Sequence, residues 1–254
     1  MTFSIRKPFA YRYKMHEILN PPDGATIKTA RGFHNVYTRD GARARTPGTY
    51  ANDARIIEAA LATETDPIAL RHYTFFLAQS YANTGNFVQA RDGYLSRAAM
   101  GGNADSISRC YSSAAGCKEW LGEPAGDVIA TYLKAHELAP DRAEPICNAA
   151  RVANNVRLYQ RAYDLTGPAL DMPEPDLHVI DHSAYSWRML NEFQMACCGL
   201  RRFDEAVEAS ERLLSQALFP ENQRERIEAN AAYALAGYDL ADVTAARTAV
   251  NPSA

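Results

Sequence analysis

Long hydrophobic runs and blocks of basic residues are both absent from this sequence of 254 residues. No segment approaches the ~20 consecutive apolar residues that span a bilayer. The opening residues MTFSIRKPFAYRYK also lack the apolar core of a secretory signal. With 27 basic and 30 acidic residues and a net charge of −3, no surface for nucleic acid or anionic lipid is expected. The sequence therefore predicts a cytoplasmic protein with no membrane span and no nucleic-acid partner.

Cysteine is scarce and shows no motif spacing. Cys110, Cys117, Cys147, Cys197 and Cys198 are an odd number, lack C-x-x-C spacing and lie in helical patterns beside alanines. Such residues are typical of buried, reduced thiols in a cytoplasmic protein. The adjacent pair Cys197-Cys198 has no nearby histidine to activate it, so packing is favoured over nucleophilic catalysis.

The common catalytic and phosphate-binding motifs are missing as well. The sequence contains no G-x-G-x-x-G, G-K-[ST], H-E-x-x-H, G-x-S-x-G or D-x-D motif, and no catalytic residue is predicted. One metal-like pattern remains, HVIDH, in which His178 and His182 are four residues apart with Asp181 between them. A zinc site needs further ligands, and the nearby acidic residues lie in a proline-broken loop. A solvated helix start is the preferred interpretation.

An internal repeat is the strongest positive signal. The segment LRHYTFFLAQSYANTGNFVQARDGYLSRA contains Leu77, Ala78, Tyr81, Gly85, Phe87, Ala90 and Tyr94, in the small and large order of a tetratricopeptide helix pair. Alanines at positions 78 and 90 let two antiparallel helices approach closely, and Gly85 makes the turn between them.

Three degenerate units follow. One spans Lys118 to Pro145 with Gly122 as its turn, a third ends at Pro173, and the fourth contains RRFDEAVEASERLL. Their spacing varies around the ~34 residues of a regular array, with an insertion from Met172 to Trp187. The segments Thr49 to Glu64 and Pro220 to Gly237 are predicted to cap the two ends of the array.

These patterns predict an all-α fold, a tetratricopeptide-like α-α superhelix (solenoid) preceded by a short β-containing segment. The β segment is predicted from YRYKMHEILNPPDG, where alternation over Tyr11 to Leu19 indicates one strand that ends before a turn. The predicted domains are 1–48, the β-containing segment; 49–238, the helical repeats with their caps; and 239–254, a weakly helical tail.

A binding groove is predicted on the first helices of the repeats, which line the concave face of such a fold. Helical phase assigns to it eight residues: His72, Gln79, Asn83, Arg109, Trp120, Arg151, Asn155 and Arg188. With three arginines, this groove would suit a carboxylate, a phosphate or a polar chain. The alternative is that these residues form ordinary solvated helix faces.

The chain also resembles a known arrangement. The stretches FFLAQSYANTGNFVQARDGYLSRAAMGG, LKAHELAPDRAEP, YSWRMLNEF and RFDEAVEASERLL resemble the tetratricopeptide extension that follows the catalytic domain in certain bacterial and phage family-two glycosyltransferases. YRYKMHEIL and GFHNVYTRDGAR are similar to the junction just before that extension.

The resemblance implies roles for the first residues. Tyr11 to Leu19 would be the last strand of a nucleotide-sugar-binding domain, and His16 would lie near the donor phosphates and cation, as a possible metal or phosphate contact. Glu17 would orient that strand end, and His34 is a weaker candidate. The alternative for His16 is a partly buried histidine hydrogen-bonded to backbone.

A glycosyltransferase also needs a nucleotide-binding half, an acidic pair for Mg²⁺ or Mn²⁺ and a general base, none of which can be placed here. The resemblance thus implies a module that positions a protein, peptide or glycan acceptor, with no cofactor of its own. A first alternative is one subunit of a split enzyme, in which a separate catalytic half supplies the nucleotide-sugar and metal sites. A second is an adaptor unrelated to sugar transfer.

Overall fold

The computed structural model describes residues 10–22, 24–26, 46, 48–177 and 179–250. The chain divides into two compact units, Met1–Gly101 and Gly102–Ala254. Antiparallel helical hairpins make up most of the described part of both units. The predicted all-α fold with a short β-containing segment at its start is confirmed.

In the first unit a small β hairpin precedes the helices. Strands β1 (Ala10–Arg12) and β2 (Ile18–Asn20) pair antiparallel, with Tyr11 opposite Leu19. The helices that follow are α1 (Thr49–Leu61), α2 (Pro67–Asn83) and α3 (Phe87–Ala99).

The prediction of one strand from Tyr11 to Leu19 is wrong, because the chain reverses direction inside it. Tyr13 (φ 78°) and His16 (φ 52°) adopt left-handed backbone conformations, which a strand excludes. The apolar alternation instead reflects packing, since Tyr13 and Met15 contact the buried cluster between α1 and α2.

The second unit contains a longer series of helices. They are α4 (Ala104–Trp120), α5 (Ala125–Leu138), α6 (Glu144–Asn155), α7 (Tyr159–Thr166), α8 (Met189–Gly199), α9 (Phe203–Gln216) and α10 (Arg224–Val250). The predicted insertion lies between α7 and α8, and its last part is a π-helical turn, Ala184–Arg188, that continues into α8.

Helix boundaries follow local signals in the sequence. The Asp66 side chain accepts a hydrogen bond from the backbone N–H of Ile68 (3.0 Å) at the start of α2, and Pro67 is its first residue. Asn103 caps α4 in the same way by accepting from Ser106 N–H (2.7 Å). Gly85 and Gly122, the predicted turn residues, both have positive φ, 80° and 69°.

Small residues set the distance between paired helices. Ala78 and Ala90 are fully buried between α2 and α3, and a Cβ on Gly93 would lie 2.9 Å from that of Ala78. In the second unit the core around α4 to α8 is built from fully buried alanines, namely Ala115, Ala149, Ala150, Ala153, Ala162 and Ala196. The predicted role of alanine in close helix approach is confirmed in each unit.

The end of the chain differs from the prediction. The predicted capping segment ends at Gly237, but α10 continues past it to Val250. A Cβ at Gly237 would lie only 2.3 Å from the Phe203 ring, so this glycine permits close packing of α10 on α9. The capping role expected for Pro220 to Gly237 is supported, because Ile227 and Ala234 are buried in the cluster that α9 and α8 form.

We expect Gly237→Ala to lower the free energy of unfolding by about 1–3 kcal/mol, because its methyl group would overlap the Phe203 ring. The matched control is Gly126→Ala in α5, where a Cβ would meet no described atom within 4 Å. Better helix propensity should stabilise that variant by up to ~1 kcal/mol. Urea unfolding measures both, and a gain in stability for Gly237→Ala would contradict the packing role.

Candidate functional site: a pocket beside Trp120

Two of the predicted groove residues, Trp120 and Arg151, line one pocket of the second unit. The pocket has a volume of about 490 Å³ and is lined by Gly116, Glu119, Trp120, Tyr132 and Arg151. It is called the Trp120 pocket below. Its residues come from α4, α5 and α6, so that it lies on a helical hairpin and the next helix.

Helical phase brings the α4 residues to one face. Gly116, Glu119 and Trp120 are spaced i, i+3 and i+4, which places them side by side on a helix. Tyr132 of α5 is buried beneath them, and a Cβ at Gly116 would lie 3.7 Å from its hydroxyl. The absence of a side chain at Gly116 thus keeps the pocket open above the Tyr132 hydroxyl.

Glu119 is the centre of the polar contacts. The guanidinium of Arg151 donates to both carboxylate oxygens, at 2.7 and 2.8 Å, and the Tyr132 hydroxyl donates to Oε1 at 2.7 Å. The side chains of Arg151 and Glu119 are 33% and 23% exposed. Both groups therefore sit at the pocket wall with their geometry set before any ligand arrives.

Glu119 raises the pKa values of both Tyr132 and Arg151. Burial raises the pKa of Tyr132, and the nearby Glu119 carboxylate raises it further. Burial disfavours the charge on Arg151, but the hydrogen bond and attraction from Glu119 outweigh this and raise its pKa. At neutral pH the site thus presents a protonated hydroxyl and an ion pair, groups that bind by hydrogen bonding.

Trp120 supplies the apolar part of the site. It is 75% exposed at the C-terminal end of α4, unusually high for a tryptophan, which is mostly buried in proteins. A large ring with an accessible face beside polar groups is the composition found at binding surfaces.

The remaining predicted groove residues of the second unit lie outside this pocket. Arg188 donates to Asp181 Oδ2 and to Asn148 Oδ1, both at 2.6 Å. Arg109 is half-buried on α4, and Asn155 is exposed at the end of α6. Arg151 and Arg188 are therefore already bonded to carboxylates within the fold.

In the first unit the N-terminal hairpin covers His72. Its ring stacks on Tyr13 with 3.8 Å between centroids, and its Nε2 lies 3.1 Å from the carbonyl oxygen of Met15. Burial lowers the pKa of His72. His72 therefore packs against the chain's own hairpin, whereas Gln79 is half-buried and Asn83 is exposed at the end of α2.

His16, the possible metal contact, is used in packing. Its ring lies parallel to that of Phe76, with centroids 3.8 Å apart. Among the described residues no group of three or more histidines, cysteines, aspartates or glutamates is placed to hold a metal ion. The described residues thus supply no ligand set around His16, and its metal role stays a prediction.

The two other histidine motifs are partly outside the described residues. His178 of HVIDH and the whole of GFHNVYTRDGAR, including His34, are not among them. The Nδ1 atom of His182 lies 2.9 Å from Oε1 of Glu174, and this hydrogen bond raises the pKa of His182. Asp181 bonds Ser183 and Arg188, so it helps to order this turn.

Burial of the thiols agrees with their predicted packing role. All five cysteines remain thiols, and four are buried. Burial raises the pKa of Cys147 and that of Cys197 to about 12, so both stay protonated and unreactive at neutral pH.

None of the described helices is long and apolar enough to cross a membrane.

Two polar residues with several side-chain bonds, Glu119 and the buried Arg142, were not predicted from the sequence. Arg142 donates to Asp105 (2.5 Å), Glu144 (2.8 Å) and the carbonyl of Val179 (3.0 Å). Glu119 could have been found by its spacing from Gly116. Arg142 carried no signal, because two of its partners, Asp105 and Val179, each lie 37 residues away in the sequence.

We expect Glu119→Gln to lower the free energy of unfolding by about 1–2 kcal/mol, because the half-buried Arg151 would lose its counter-ion. The matched control, Glu137→Gln, breaks an exposed ion pair with Lys134 and should leave stability nearly unchanged. Urea unfolding compares the two. Equal effects would show that the Glu119–Arg151 pair is ordinary surface charge.

Comparison with known proteins supports the fold. No protein-family model and no curated protein matches the sequence. Among solved structures, MamA is 15% identical and matches 72% of this chain and 96% of its own, with a TM-score of 0.54. A tetratricopeptide repeat protein from Parabacteroides merdae ATCC 43184 is 15% identical over 77% of this chain and 73% of its own, TM-score 0.56. BtubC from P. vanneervenii is 17% identical over 85% of this chain and 94% of its own, with a TM-score of 0.51. These likenesses establish a tetratricopeptide-like fold.

Proposed function

We propose that this chain is a tetratricopeptide-type interaction module and that its Trp120 pocket binds a peptide segment of a partner protein. The observation that carries the proposal is an exposed tryptophan, 75% accessible, beside a Glu119–Arg151 pair that is already in place. Aromatic residues and arginine are the side chains that most often dominate binding energy at protein interfaces.

The pocket's chemistry suits a neutral peptide stretch better than an anion. Trp120 offers a face for an apolar side chain, while Glu119 and Arg151 can accept from and donate to the amides on either side of it. Since Glu119 already neutralises Arg151, an incoming anion would meet the negative carboxylate beside the guanidinium. A preorganised pair also costs little further ordering when a ligand binds.

Selection from a random-peptide display library on the full chain, followed by calorimetry of the enriched peptides, tests this. We expect Trp120→Ala to weaken binding roughly 30-fold or more, as for a central aromatic contact. The control is Tyr50→Ala on α1, an aromatic that is 44% exposed outside the pocket, which should leave affinity unchanged.

Two results would overturn the proposal. Enriched peptides that bind Trp120→Ala as tightly as the unaltered chain would place the binding site elsewhere. Glycans that bind the Trp120 pocket while no peptide does would replace the peptide with a sugar ligand stacked on the ring.

A narrower proposal rests on the resemblance of residues such as YRYKMHEIL and RFDEAVEASERLL to family-two glycosyltransferases. In it, the module positions a protein, peptide or glycan acceptor for a glycosyltransferase catalytic domain. Mg²⁺ or Mn²⁺ and a nucleotide-sugar would bind only that catalytic half. The split-enzyme version differs in that the catalytic half is a separate chain.

Under this narrower proposal the chain alone should give no heat of binding with UDP-sugars or GDP-sugars and Mn²⁺ in calorimetry, because it lacks a D-x-D motif to hold the cation. Binding at micromolar concentration would contradict it. Co-purification of a protein that carries such a motif would favour the split enzyme over an adaptor unrelated to sugars.

A further inference from the structure

The Trp120 pocket has an open space beside its tryptophan ring. Gly116 lies one helical turn before Trp120 in α4, on the side towards which helical side chains lean. Apart from its neighbours in α4, a Cβ at Gly116 would meet only the Tyr132 hydroxyl within 4 Å, at 3.7 Å. The ring itself is largely exposed. A compact apolar group of a ligand can therefore enter beside it.

Most hydrogen-bond acceptors of the pocket are already in use. A carboxylate offers about four acceptor positions. In Glu119, two bonds are accepted from Arg151 and one from the Tyr132 hydroxyl. Little capacity therefore remains in this carboxylate to accept N–H bonds from a ligand.

Arg151, by contrast, keeps N–H groups for a ligand. A guanidinium has about five N–H donors. Two bonds go to Glu119, and the Tyr132 hydroxyl is the one further acceptor beside Arg151 among the described residues. No nitrogen of Arg151 is both buried and unpartnered, so the remaining N–H groups reach the surface of this one-third exposed side chain. The pocket can thus donate more bonds to a ligand than it can accept.

A peptide that suits such a wall brings carbonyl oxygens and few N–H groups. An ordinary residue supplies one of each, and an N–H held against the indole ring without an acceptor would cost free energy. Proline supplies a carbonyl and no N–H. Its ring is a compact apolar group, and proline-rich segments dock on aromatic surfaces in an extended helix that is already formed before binding.

We propose that the Trp120 pocket takes a proline of a partner segment, with the pyrrolidine ring against Trp120 in the space above Gly116. Arg151 donates an N–H bond to a neighbouring carbonyl oxygen of that segment. This inference rests on the proposed function and names the class of peptide that the pocket selects.

The probe is acetylated octaproline amide, measured on the full chain by calorimetry and by tryptophan fluorescence. Trp187→Phe leaves Trp120 as the single tryptophan, because the sequence contains two. We expect octaproline to shift the Trp120 emission to shorter wavelength, since the ring would lose contact with water. The peptide (Gly-Ser)4, which has equal length and no charge, should bind at least ~10-fold more weakly.

Octasarcosine separates the two features that distinguish proline. Its N-methylglycine residues lack N–H groups, as proline does, but carry no ring. We expect it to bind more weakly than octaproline and more tightly than (Gly-Ser)4. Equal affinity of octasarcosine and octaproline would overturn the placement of a proline ring against Trp120.

Gly116→Leu fills the space beside the tryptophan ring. We expect octaproline affinity to fall at least ~10-fold, while the melting temperature is unchanged or higher because leucine has a better helix propensity than glycine. Gly126→Leu in α5 is the matched control, since a Cβ there would meet no described atom within 4 Å. This control should leave octaproline affinity unchanged.

The proposal is overturned if octaproline does not bind, if (Gly-Ser)4 binds equally well, or if octaproline affinity survives Gly116→Leu. Should Gly116→Leu fail to fold, Trp120→Ala at an exposed position decides instead. Unchanged octaproline affinity in Trp120→Ala would then overturn the proposal.

Failure of this inference can be told apart from failure of the proposed function. Library peptides that lose affinity in Trp120→Ala but contain no proline would overturn the choice of proline and leave the peptide site in place. If neither library peptides nor octaproline bind the chain, both proposals are overturned.

Discussion

Close contact between helices at small residues is the constraint on which the structure depends. Ala78 against Gly93 in the first unit, and Tyr159 over Gly199 and Phe203 over Gly237 in the second, leave no room for an additional methyl group. At these points only small side chains fit between the helices. Trp120, by contrast, lies exposed at the end of α4.

Polar groups in the fold differ in whether they have hydrogen-bond partners. At the Trp120 pocket and around Arg142, cations are paired with carboxylates from other helices, so these charges are largely neutralised within the fold. Asn154 and Gln194, by contrast, are buried with their amide nitrogens bonded, while among the described residues their amide oxygens have no hydrogen-bond partner.

The positive-φ residues of the β hairpin show how a sequence pattern can be correct and still be misassigned. Alternation correctly marks Tyr13 and Met15 as side chains that pack on the first unit's core. It does not reveal that the backbone reverses at Tyr13 and His16. Similarly, Gly237 resembles a helix terminus in the sequence, although its function is to admit the Phe203 ring.

Local sequence alone determined the helical hairpins, because caps, turn glycines and the spacing of alanines act within a few residues of one another. Helical phase also selected Trp120 and Arg151, which line one pocket. Only the tertiary structure decided that Arg151 is bonded to Glu119, that His72 is covered by the hairpin, and that Asn154 and Gln194 keep unused acceptors. Periodicity identifies the face on which a side chain lies, whereas its partner depends on which residue of another helix that face meets.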